Sequence, residues 1–192
     1  MISYLLFLTG LSCADGLLAF LFPYDTSYIT MSFVPSLAFI GLALISRKID
    51  LKQSMSLTLV FGLYQDLFVN QTVFIYTVVY IAVILIARLW SKSISSSIFE
   101  SVLFAITTLF VKEIVLYFLM TITNTSYLGI FQWFLKREFL TLVLHCFCGI
   151  LVVWLLDKIQ LYLENQDAVR RKGENVKWLQ LRLREEKKQY KS

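Results

Sequence analysis

Proline is scarce in this chain of 192 residues, at two, and glycine numbers only seven. That shortage excludes a loop-rich or collagen-like protein. Charge is short as well: 16% of residues are Asp, Glu, Lys or Arg, where a soluble domain carries about 25%. Three cysteines, Cys13, Cys146 and Cys148, all fall inside apolar runs. An odd count of such thiols suits packing rather than a disulfide framework, and Cys-Phe-Cys is no usual zinc spacing. No glycine-rich phosphate loop, Ser-His-Asp arrangement or His/carboxylate metal pattern is visible, so no enzymatic activity, metal or cofactor is expected. A basic-aromatic nucleic-acid module is missing too.

What the chain has instead is apolar surface. Hydrophobic residues make up 58%, aromatics 16%, and the mean hydropathy is +0.70. The apolar residues lie in long runs without period-2 alternation. In lipid the backbone must satisfy itself, so the runs are helices rather than a barrel. Met1-Ile2-Ser3-Tyr4 offers no basic n-region and no A-x-A-like site follows, so the first run reads as a retained helix. The expectation is an all-α integral membrane protein with six transmembrane helices. They fall roughly at Ile2 to Phe22, Ile29 to Ser46, Ser54 to Val69, Thr72 to Ala87, Phe99 to Ile122 and Glu138 to Leu156.

Arg47, Lys48, Lys52, Arg88 and Lys92 sit in the loops after helices 2 and 4, while the loops after helices 1 and 3 carry no basic residue. The positive-inside rule then puts both termini in the cytoplasm, with Lys136 and Arg137 as exceptions at the outer end of helix 6. Residues 1–156 form the membrane domain and 157–192 a basic cytoplasmic tail. The tail holds ten Lys/Arg against six Asp/Glu, a net +4 of the chain's +5. Val176, Trp178, Leu179 and Leu183 fall at helical spacing after Gly173, which suggests an amphipathic helix attracted to anionic lipid or docking a cytoplasmic partner. The sequons Asn70-Gln71-Thr72 and Asn124-Thr125-Ser126 sit in turns too close to the membrane to be good acceptors.

Charges inside a bilayer are costly and normally face the bundle interior. Asp15 in helix 1, Asp66 in helix 3 and Lys112-Glu113 in helix 5 are such residues. Arg137, Thr141, His145 and Gly149 recur every four residues and share one stripe of helix 6. Gly62 lies one turn before Asp66 and gives a close-approach point beside an anion. The groups can form a partner- or substrate-binding network, or they can lock the bundle. In the second case Asp15 or Glu113 pairs with Lys112, and Asp66 pairs with Arg137. His145 on an apolar helix is more often a packed, hydrogen-bonded residue than a ligand.

The stretch Phe61-Gly62-Leu63-Tyr64-Gln65-Asp66, with an aromatic-rich helix following a short polar turn, resembles MreD, a rod-shape-determining membrane protein family of bacteria. Asp15, Pro35 within Phe33-Val34-Pro35-Ser36-Leu37, the Glu113-Ile114-Val115-Leu116-Tyr117-Phe118 cluster and Arg137 follow the family's order over residues 1–160. The resemblance implies a non-enzymatic scaffold of cell-wall elongation in the plasma membrane, partnering the bitopic protein MreC. Through MreC it would reach the actin-like MreB, the glycosyltransferase RodA and a class B penicillin-binding transpeptidase. The family is similar in fold to the six-helix S components of energy-coupling-factor transporters. A vitamin-binding S component is therefore the alternative expectation.

Overall fold

In a computed structural model, residues 2–22, 32–69, 72, 74–91, 97–123 and 129–189 are described. Among them all regular structure is helical and no strand occurs. The elements are α1 (Ile2–Leu21), α2 (Leu37–Ser46), α3 (Leu51–Tyr64), α4 (Ile75–Ser91), α5 (Ile98–Ile122), α6 (Ile130–Trp133) and α7 (Phe139–Gln189). A wider π turn extends α3 over Gln65–Val69, and another joins α6 to α7 over Phe134–Glu138. The helical segments Ile2–Leu21, Ile98–Ile122 and Ile130–Gln166 are long and apolar enough to cross a membrane. Leu37–Ser46 and Ile75–Ser91 are shorter apolar helices. Large apolar side chains stand bare on the outside, with Phe20 83%, Phe99 77% and Phe147 70% exposed. Water does not tolerate such a surface on a monomer, and lipid does. The chain is a membrane-embedded protein.

Two compact units divide the chain, Met1–Trp154 and Leu155–Ser192. In the first, α2 is the core: Leu37, Phe39, Ile40, Leu42, Ala43, Leu44 and Ile45 are all buried. A helix apolar on every side belongs at the centre of a bundle. The outer helix α1 buries only Leu8 and Leu11. It reaches α2 at Gly41, where a Cβ would come within 2.5 Å of the Leu11 side chain. Helix α5 opens on a capping box, Ser97-Ile98-Phe99-Glu100, with the Ser97 hydroxyl accepting from the Glu100 amide at 3.2 Å. At the other end of α2 the Arg88 guanidinium, from α4, donates to the carbonyls of Ser46 and Ile49. A cation at a helix C-terminus answers both the open carbonyls and the dipole.

In the second unit the backbone is helical through Gln189, and Gly173 does not interrupt it. The amphipathic face expected on Val176, Trp178, Leu179 and Leu183 lies outside the described side chains, as do Asn70, Gln71 and the Asn124 sequon.

Two expected helices need correction. The second was to run from Ile29, but Ser32–Ser36 is not helical, its alternate amides bonding outward as those of an extended chain do, and α2 begins only at Leu37. Pro35 accounts for it: the ring disfavours the α region for Val34, and the missing N–H removes a helical donor. The sixth was to start near Glu138, but helical backbone begins at Ile130. Lys136 and Arg137, expected at the outer end of this helix, sit with Glu138 within the π turn, preceded by the short helix α6. Arg137 is only 11% exposed there and Glu138 fully buried.

Candidate functional site

The site grows from a backbone problem. An extended segment inside an apolar bundle leaves amides without helical partners, and each must find one. Three of them find α7 and the π turn before it. Ser32 donates its N–H to the Lys136 carbonyl at 2.8 Å, Val34 to Thr141 Oγ1 at 3.1 Å, and Ser36 to His145 Nε2 at 3.0 Å. The match is geometric. For the last two, alternate residues of an extended chain stand about 6.6–6.8 Å apart and Thr141 and His145, four helical residues apart, about 6.0 Å. The polar stripe of Thr141 and His145 thus serves as a ladder for a broken helix. An amide can only donate, so His145 Nε2 accepts and the ring proton sits on Nδ1, 2.7 Å from the Thr141 carbonyl. His145 is a neutral structural acceptor, fully buried.

Where the extended segment turns into α2, Asp15 meets the open helix end. Its two oxygens accept the Leu37 N–H at 2.7 Å and the Ala38 N–H at 2.9 Å. A carboxylate there satisfies orphan donors and complements the dipole. Asp66 does the same for α4, accepting from Tyr76 at 3.0 Å and Thr77 at 2.8 Å. The hydroxyls of Thr72 and Thr77 add bonds of 2.5 and 2.6 Å, and Asp66 is 1% exposed. Gly62 makes this seat possible. A Cβ there would fall 2.7 Å from the backbone Cα of Thr77, so α3 and α4 meet at a point only glycine allows. The turn between them puts Phe74 at φ 58°, a left-handed conformation unfavourable for a bulky residue. The expected pairing of Asp66 with Arg137 is therefore not formed, because helix-end amides and two threonines hold the carboxylate.

Arg137 instead reaches α5. Its guanidinium lies 3.6 Å from Glu113, whose other oxygen is 2.7 Å from Lys112 Nζ. Of the two partners expected for Lys112, Glu113 is the one in contact. Lys112 also donates to Ser36 Oγ at 2.9 Å and stands over the Phe39 ring at 5.1 Å. Arg137 also hydrogen-bonds the Tyr76 hydroxyl. Glu138 joins this group: it is fully buried, interacts electrostatically with Glu113, Lys112 and Arg137, and neither carboxylate oxygen accepts a hydrogen bond. Glu138 was not among the expected site residues. Its signal in sequence was its position three residues before Thr141, on the flank of the polar stripe.

These elements enclose a cavity of about 470 Å³. Asp15, Pro35, Lys112, Glu113 and Arg137 line it together with aromatic side chains including Phe39, Tyr76 and Tyr80. Of the expected site residues, Asp15, Pro35, Glu113 and Arg137 thus come together around one space. Gly62, Asp66 and His145 stand outside that lining, in the packing that supports it. Pro35 suits a cavity wall because it brings no amide hydrogen that would need a partner. Among the described residues, no group of three His, Cys, Asp or Glu is placed to hold a metal ion.

The geometry defines an all-helical membrane bundle around a polar-aromatic cavity. Comparison with family models, curated proteins and solved structures finds nothing that matches this chain.

Proposed function

We propose that the chain is a non-enzymatic scaffold of the bacterial cell-wall elongation machinery, with six membrane spans and both termini in the cytoplasm of the plasma membrane. The observation that carries the reading is how the conspicuous acids are used. Asp15 and Asp66 are bound to helix-end amides and His145 to the Ser36 amide. All three are thus engaged in holding the backbone. The six spans would be α1, α2 with its lead-in, α3 with its π turn, α4, α5 and the α6–α7 stretch.

Binding would occur within the membrane, helix against helix, with a single-pass MreC-like partner. MreB-like filaments, a RodA-like glycosyltransferase and a class B transpeptidase would follow through it. On α1, Gly10 has nothing within 4 Å of where a Cβ would stand. That leaves room for the close backbone approach by which membrane helices associate. The basic tail would hold anionic lipid, at about 1 kcal/mol per Lys or Arg near the surface. Tagged chain taken from native membranes in mild detergent should bring an MreC-like protein with it. Repeated recovery without one counts against the scaffold.

The cavity favours a second reading, a substrate-binding S component of an energy-coupling-factor vitamin transporter. A vitamin retained through purification would replace the scaffold with this reading.

A further inference from the structure

The cavity has a feature that neither functional reading uses. Glu113 lines it and is 2% exposed, yet Oε2 accepts no hydrogen bond. That oxygen lies 3.6 Å from Arg137, an ion-pair distance beyond hydrogen-bonding range. Behind it the two oxygens of buried Glu138 also accept nothing. A carboxylate oxygen desolvated in this way is expensive to leave bare. In the cavity lining Asp15 and Glu113 face Lys112 and Arg137, two acids and two bases, and Asp15 is already held by the α2 amides. Phe33, Phe39, Tyr76 and Tyr80 line the same space. Carboxylate together with aromatic rings is the chemistry that receives an organic cation.

We propose that this cavity binds a primary ammonium on an apolar body, with Glu113 Oε2 accepting from the ammonium and the aromatic shell packing the body. The site stands on the cavity alone and is compatible with a scaffold or a transporter subunit. Two sources offer that chemistry, the head group of a membrane phosphatidylethanolamine and a soluble alkylamine. An anion would have to compete with Glu113 for Lys112 and Arg137, and octanoate tests that occupant.

The test uses the full chain in dodecyl maltoside, read by native mass spectrometry and thermal unfolding. Octylammonium is the probe, with octanoate and octanol as controls and phosphatidylethanolamine as the lipid arm. Octylammonium or phosphatidylethanolamine should bind one to one and raise the unfolding temperature, while octanoate and octanol do not. Binding by the lipid alone assigns the head group, and binding by octylammonium alone assigns a soluble amine. Glu113→Gln should weaken binding about tenfold or more, the loss of one charged hydrogen bond. Should that variant not fold, Gly16→Leu fills the cavity from a position with open space around it, and should abolish binding while the chain stays folded. Three results overturn the proposal: octanoate binding as well as octylammonium, a folded variant binding as tightly as the parent, or no saturable binding by either amine.

Discussion

Two helix starts in this bundle use the same device and differ in how firmly it is closed. At α2 and at α4 a carboxylate from the preceding helix takes two consecutive backbone amides, Leu37 and Ala38 by Asp15, Tyr76 and Thr77 by Asp66. Around Asp66 the seat is sealed by Thr72, Thr77 and the Gly62 contact, and solvent reaches 1% of the residue. Among the described residues Asp15 accepts from those two amides alone, and it stands in the cavity wall, half-buried. The first is a rivet and the second borders a space that can be filled. A shared capping chemistry therefore does not imply a shared role; what surrounds the carboxylate decides it.

Substitutions can break or sharpen that contrast. Asp66→Ala strands two buried amides and two hydroxyls, and should cost about 3 kcal/mol or more, read as lost membrane abundance or earlier unfolding in a denaturing detergent titration. Gly62→Ala pushes a methyl against the Thr77 backbone, which cannot swing aside, and should cost about 1–3 kcal/mol in the same titration. Asp15→Asn keeps one acceptor for the two α2 amides and should cost about 1 kcal/mol, with abundance retained. If Asp15→Asn proves as damaging as Asp66→Ala, the two seats are equivalent and the contrast fails. Phe74→Gly removes a side chain from the left-handed conformation at φ 58°. It should raise the unfolding midpoint by a gain of up to about 1 kcal/mol, the smallest effect of the four.

Hydropathy and spacing made α1 and α5 legible to within a residue or two at each end, because a long apolar run has one solution in lipid. The i, i+4 stripe of Arg137, Thr141, His145 and Gly149 was also readable, since helical periodicity is local. Its purpose was not. Val34 and Thr141 are 107 residues apart, and Ser36 and His145 are 109 apart. Nothing nearby in sequence reveals that one side chain answers the other's amide. The partner of Asp66 was missed for a related reason. Charge suggested Arg137, whereas the donors are main-chain N–H groups, which sequence does not distinguish. Lys136 and Arg137 were expected at the outer end of helix 6; in the structure Arg137 turns inward, where Glu113 and the cavity's polar wall receive it.

The ladder between the extended segment and α7 carries a limit of its own. Its donors are evenly spaced, at Ser32, Val34 and Ser36, but its acceptors are not: the Lys136 carbonyl comes five residues before Thr141, and only Thr141 and His145 stand four apart. Over that one four-residue step the two scales differ by about 0.6–0.8 Å, within the tolerance of a hydrogen bond. One residue after the last rung the chain coils into α2. The wider turn over Phe134–Glu138 thus acts as a spacer, bringing a main-chain carbonyl to the first rung out of rhythm with the stripe. Inserting one residue between Pro35 and Ser36 would put the last rung out of register with the first two.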